Sequence, residues 1–187
     1  NYQVHCLKNL IINNNTNCEN RNFTDNILKQ YERTDVVVLS TLWQNQDLKD
    51  LDEIIKLLLN DNKKVIITSP SLQSKRFKPH DFNLLDSLVF KSKGLLEKDI
   101  NYSKKEMFKY LKIIATVNNK KTLEKIAEKN KVKFLLQSDF QCDFKKKECH
   151  ILTDQNYKIY WDYVHYTNAG AKYLGKKAYK IGWLDLN

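Results

Sequence analysis

Three short apolar runs decide most of what this chain can fold into. Val36-Val37-Val38-Leu39 and Lys64-Val65-Ile66-Ile67-Thr68 are rich in β-branched residues, and Val132-Lys133-Phe134-Leu135-Leu136 is a third apolar run. They lack the strict alternation of a strand with one wet face, so each reads as a strand buried on both faces, as in a parallel sheet covered by helices. Between the first two, Leu51, Ile54, Ile55, Leu58 and Leu59 recur at helical spacing within residues 48–59. Between the last two, residues 104–129 carry Met107, Leu111, Ile114 and Ala115 on one face and then Leu123, Ile126 and Ala127. Strand, helix, strand, helix, strand predicts an α/β fold, a three-layer sandwich around a central parallel sheet with right-handed crossovers.

A last helix follows Thr167, a good N-cap residue, with Ala171, Leu174, Ala178 and Ile181 as its apolar stripe and Gly182 as its terminating glycine. Its other face carries Lys172, Lys176, Lys177 and Lys180, a solvated face that could also meet an anionic surface. Residues 69–101 contain both prolines, Pro70 and Pro79, and show no clear period. They are expected to cross the carboxyl edge of the sheet, where open α/β folds bind ligands.

The 187 residues suit one domain, residues 1–187, with no repeat, linker or internal boundary. No apolar run approaches the roughly 18 residues of a membrane helix, and the start, Tyr2-Gln3-Val4-His5, reads as a strand and not as a secretory leader. The net charge of +10 raises nucleic acid as a partner. That charge is almost wholly lysine spread along the chain, with Arg21, Arg33 and Arg76 as the arginines, and arginine is what forked phosphate and base contacts favour. Twenty asparagines beside the lysines point to A+T-rich codon drift, so no nucleic-acid partner is expected.

The four cysteines form an early pair, Cys6 and Cys18, and a late pair, Cys142 and Cys149. None has the two-residue spacing of a zinc knuckle or a thioredoxin-like motif, so neither a metal nor another cofactor is expected. Each near pair closes a short irregular segment, which favours Cys6–Cys18 and Cys142–Cys149 bridges and an oxidising compartment. The alternative is four buried thiols in a reducing one.

Asp162-Tyr163-Val164-His165-Tyr166-Thr167-Asn168-Ala169-Gly170 precedes the last helix. An acid and a histidine three residues apart point to one side of a turn, where the acid can fix the imidazole tautomer and leave the other nitrogen free to take a proton. The following helix N-terminus disfavours the imidazolium, while Asp162 favours it.

In this context the chain resembles the SGNH/GDSL hydrolase superfamily, and more closely the SGNH domains fused to acyltransferase-3 membrane proteins. Those domains end in a cysteine-bracketed loop, a short hairpin, then Asp-x-x-His-(Leu/Tyr)-(Ser/Thr)-x-x-Gly-Ala and a terminal helix. The same order here runs Cys142, Cys149, Leu152-Thr153-Asp154, Tyr157 to Tyr160, Asp162, His165, Thr167, Gly170 and Ala171. Upstream, a cysteine pair, a helix and a hydrophobic strand ending in small residues and tryptophan match Cys6, Cys18, Val36 to Leu39, Ser40 and Trp43.

The resemblance implies a flavodoxin-like SGNH fold, with His165 as catalytic base and Asp162 as its orienting acid. The family nucleophile is the serine of a Gly-Asp-Ser motif after the first strand, and these residues contain no such motif and no Gly-x-Ser-x-Gly elbow. A domain lacking its first strand, with the serine upstream of Asn1, is the expectation. Where other members have Gly-x-Asn-Asp, this chain has Ser40-Thr41-Leu42-Trp43-Gln44-Asn45, so Ser40, Gln44 or Asn45 is a candidate oxyanion donor and Trp43 a candidate cleft wall. The implied activity is acyl transfer or ester hydrolysis on cell-surface carbohydrate, with acetyl as the expected group. The donor would arrive through an acyltransferase-3 membrane domain of the same chain, at the periplasmic or extracellular face of a membrane. A non-catalytic carbohydrate-binding module is the alternative, with Trp43, Trp161 and Tyr166 as stacking platforms.

Overall fold

In a computed structural model the described residues are 29–41, 43–72, 83–92, 97–117 and 119–185. In chain order they form β1 (Val36–Leu39), α1 (Asn45–Asn60), β2 (Lys64–Thr68), α2 (Leu84–Ser92), α3 (Glu97–Val117), α4 (Lys120–Lys129), β3 (Lys133–Leu135), α5 (Ser138–Gln141), β4 (Cys142–Asp143), β5 (Glu148–Cys149) and α6 (Asn168–Lys180). They divide into two compact units, residues up to 70 with 118–136, and residues 71–117 with 137–187. Cys6 and Cys18 lie outside the described residues, as do Pro79 and the first strand-like stretch.

The first unit is an α/β layer with the predicted parallel sheet, in the order β1-β2-β3. Val37 pairs with Val65 and Leu39 with Ile67, while Ile67 pairs in turn with Phe134. Leu51, Ile54, Ile55 and Leu58 of α1, spaced i, i+3, i+4 and i+7, are fully buried with Leu123 and Ala127 of α4 against Leu39, Val65 and Ile67. Two crossovers in the same direction along a sheet put both helices on one face, which is why α1 and α4 share this core. Both helices end on a residue in the left-handed region, Asn62 (φ 59°) and Lys131 (φ 54°). The bonds from Lys63 N to Leu58 O and from Val132 N to Ala127 O close the last turns, so the chain passes into β2 and β3 within three residues.

Three expectations change here. Val37 and Leu39 face the α1–α4 core, whereas Val38 takes the opposite face and is 42% exposed, so β1 is not buried on both sides. The single helical pattern over 104–129 is two helices, α3 and α4; Asn119 stands at the N-cap position of the second without a side-chain capping bond, and its amide donates instead to the carbonyl of Trp43 (2.7 Å). Leu59 lies beside the buried stripe of α1 and is exposed.

The second unit packs α2 on α3 and α3 on β5. Leu85, Met107, Phe108, Ile151, Ile159, Tyr160 and Leu174 form its core, together with the Cys142–Cys149 disulfide. The two cysteines are Cα partners in the β4–β5 hairpin, as their spacing predicts. The aperiodic 69–101 stretch contains a nine-residue helix, α2, which the sequence pattern does not announce. The stripe of α6 is rotated from the expected one. Gly170 and Leu174 are buried while Ala171 and Ile181 are exposed, because Gly170 docks on the backbone of Ile159. The helix ends as predicted, with Gly182 at φ 62° and a bond from Trp183 N to Ala178 O. Among the described residues no helix is long and apolar enough to cross a membrane.

Candidate active site

The Asp162–His165 turn is built by the segment before α6. Two antiparallel bridges, Leu152 with Lys158 and Tyr160 with Tyr166, bring the chain out and back. The Trp161 N–H donates to the His165 carbonyl (2.7 Å) and closes a five-residue turn. The far side is held by Thr167. Its hydroxyl donates to Lys158 O (2.6 Å), accepts from Gly170 N (2.9 Å) as the N-cap of α6, and its own N–H donates to Ile159 O (2.9 Å).

Within this turn the Asp162 carboxylate does two things. Oδ1 accepts the backbone N–H groups of Val164 and His165, both at 2.7 Å, and Oδ2 lies 2.7 Å from His165 Nδ1. Burial acts to raise the Asp162 pKa, but the backbone N–H and ring of His165 and the N–H of Val164 outweigh it, holding the carboxyl below its usual range. The imidazole is 74% exposed, and Nε2 has no partner among the described residues. This arrangement can fix a neutral ring with its proton on Nδ1 and present an accepting Nε2 to a hydroxyl.

Two groups that the motif did not reveal hold the turn from α2. Asn83, only 4% exposed, caps α2 through its Oδ1, which accepts Asp86 N (2.9 Å). Its Nδ2 donates to the carbonyls of Tyr160 (3.3 Å) and Asp162 (3.4 Å). Asp86 receives Lys158 Nζ on both oxygens at 2.9 Å, and that ammonium also donates to Trp161 O (3.2 Å). An asparagine three residues before an aspartate, Asn83 and Asp86, the spacing of a helix N-cap, is the faint signal the sequence offered in that stretch.

The candidate oxyanion donors and the candidate cleft wall belong to the first unit. Ser40, Gln44 and Asn45 are exposed where β1 gives way to α1, at the carboxyl end of the strand. Gln44 precedes α1, and its N–H donates to Asp47 Oδ2 (2.9 Å). Trp43 is 5% exposed in the α1–α4 core, and its indole N–H donates to Thr68 O (2.7 Å), so it is packed as a core residue of that unit. Tyr166 is half-buried with its hydroxyl hydrogen-bonded to Gln141 and Ser71. Burial pushes that phenol up, and the two hydrogen bonds oppose it. Trp161, by contrast, is 71% exposed, with Lys158 Nζ 5.7 Å from its ring centre. Among the described residues no three His, Cys, Asp or Glu side chains converge as a metal site.

Over residues 4–180 the chain matches the family described as the SGNH domain fused to AT3 domains, a span that runs through both units. Among solved structures it is similar to the periplasmic domain of a lipopolysaccharide acetyltransferase from Salmonella ser. Paratyphi A, with 13% identity and a TM-score of 0.51. That alignment covers 86% of this chain and 62% of the other, less than two thirds of it, and at this identity the likeness is one of fold. No match is found among curated proteins.

Proposed function

The chain belongs to the SGNH domains fused to AT3 domains, and from this premise we propose that it is an extracytoplasmic acyltransferase or esterase domain that moves acyl groups on cell-surface carbohydrate. We read its two units as parts of one such domain. The observation that carries the reading is the 2.7 Å contact between Asp162 Oδ2 and His165 Nδ1, with Nε2 left unpartnered among the described residues. An aspartate so placed serves to keep the ring proton on Nδ1 and to stabilise the imidazolium once Nε2 has taken a proton. The similar solved domain is that of a lipopolysaccharide acetyltransferase, which favours acetyl as the group in this reading.

In the proposed reaction a serine hydroxyl gives its proton to His165 Nε2 as its oxygen adds to the ester carbonyl. Collapse of the tetrahedral intermediate passes the proton to the departing alkoxide and leaves an acyl-serine. A sugar hydroxyl, or water in the esterase case, then gives its proton to Nε2, takes the acyl group and returns the serine. The serine of this reading is the one of the Gly-Asp-Ser motif that the resemblance implies. Ser40, Gln44 and Asn45 are the candidates to support the oxyanion.

A fluorophosphonate probe applied to the intact protein tests this. It should label one serine, and His165→Ala should abolish the labelling. No labelled serine, or labelling indifferent to His165→Ala, overturns the reading.

A further inference from the structure

We propose that Asn83 is a positioning residue for the Asp162–His165 pair, holding from α2 the backbone that aims the carboxylate. The inference rests on the acyl-transfer reading for its functional meaning, though its geometry stands apart from it.

Three observations on the two faces of one side chain point this way. Its Oδ1 accepts Asp86 N at 2.9 Å, while Nδ2 donates to Tyr160 O at 3.3 Å and Asp162 O at 3.4 Å. Serine, threonine or aspartate would cap α2 comparably, so capping alone does not call for an amide. Only a carboxamide offers an acceptor to a helix end and two donors to a pair of carbonyls. At 4% exposure no water competes freely for those bonds, and each of its polar atoms has a partner.

The carbonyls it holds are those on either side of Trp161. One of them belongs to Asp162 itself, so the bond fixes the peptide from whose Cα the carboxylate projects. Trp161 O, between the two, is held by Lys158 Nζ, which is anchored on Asp86. The N-terminal turn of α2 therefore grips three successive carbonyls at the entrance to the turn. Beyond them, Asp162 Oδ1 organises Val164 and His165. Motion of the 160–162 backbone would carry Oδ2 away from Nδ1, and displacements near 1 Å at a reacting group can cost about 100-fold in rate.

Asn83→Ser tests this, because serine still caps α2 but cannot span to both carbonyls. The readout independent of turnover is the tautomer of His165, taken from the ring nitrogen shifts of the protein labelled with 15N-histidine. The wild type should hold the neutral ring with its proton on Nδ1. Asn83→Ser should shift it toward the Nε2-protonated form that prevails in free histidine. An unchanged tautomer in the folded variant overturns the inference.

Where the intact protein turns over an acyl ester, kcat should fall about 10- to 100-fold with KM within about twofold, and an unchanged kcat equally overturns it. A wild type without turnover defeats the acyl-transfer reading and leaves the tautomer comparison to decide the role of Asn83. Asn83→Asp, which keeps the capping oxygen and replaces the two donors, gives the same comparison should the serine variant fail to fold.

Discussion

Gly170 meets the backbone of Ile159 so closely that a Cβ on it would sit 2.1 Å from the Ile159 carbonyl oxygen and 2.6 Å from its Cα. The first turn of α6 can dock on the segment leading to the Asp162–His165 turn only without a side chain there. The obstructing atoms are backbone, so no rotamer change relieves them. Gly170→Ala should destabilise the protein by about 3 kcal/mol or more, the upper end for an overpacked site. Chemical denaturation checks this, and Gly175→Ala, with nothing within 4 Å of its Cβ position, is the control that should leave stability unchanged or raised.

Acid should weaken the fold through two carboxylates. Asn130, Lys56 and Lys129 hold Asp52 well below the usual range, and the Asp162 turn lowers Asp162 against the opposing effect of burial. Both folded pKa values lie under the unfolded value of about 3.9. The stabilisation is therefore fully present above about pH 4, and is lost as pH falls through the unfolded value toward the folded ones. Urea unfolding between pH 7 and 2.5 should show the difference between wild type and Asp162→Asn, or Asp52→Asn, shrinking over that acid window. A difference that stays constant with pH would contradict this assignment.

The Cys142–Cys149 bridge closes a seven-residue separation across the β4–β5 pair, and both sulfurs are buried in the core of the second unit. Loop-closure entropy for so short a loop is worth about 2–3 kcal/mol. Replacing both cysteines by serine should cost at least that, since two hydroxyls also enter an apolar core. Thermal unfolding of the double variant under oxidising conditions measures it, and a smaller loss would mean that the unbridged hairpin is largely preorganised.

β1 and β2 were legible because β-branched runs of four and five residues have few other uses, β3 because a short apolar run follows the helical stripe before it, and α1 because 51, 54, 55 and 58 form one unbroken stripe. The Asp162–His165 contact was legible because it is local, an acid and a histidine three residues apart. What was hidden depends on partners distant in sequence. Asn83 reaches carbonyls more than seventy residues away, and Trp43 finds its acceptor at Thr68, neither of which has a periodic signature. The stripe of α6 was misplaced by one residue for a related reason. Hydropathy selects Ala171, but the docking face is chosen by the one residue with no Cβ, Gly170, against a backbone that the pattern does not contain.

Asp162→Asn separates the two tasks of that side chain. An asparagine oxygen can still accept the Val164 and His165 N–H groups, so the turn should persist, with a loss at pH 7 of no more than about 1–2 kcal/mol. The amide nitrogen would then face His165 Nδ1 as a donor, drawing out the tautomer with its proton on Nε2. A ring protonated at Nε2 cannot accept a proton from a serine or a sugar hydroxyl. In the acyl-transfer reading kcat should therefore fall by about 10³- to 10⁴-fold, as it does when a triad aspartate is amidated. Asp162→Ala should lose both the turn and the rate. Steady-state kinetics on an acyl ester beside urea unfolding of both variants distinguishes the two effects. Comparable activity in Asp162→Asn and wild type would remove Asp162 from the mechanism.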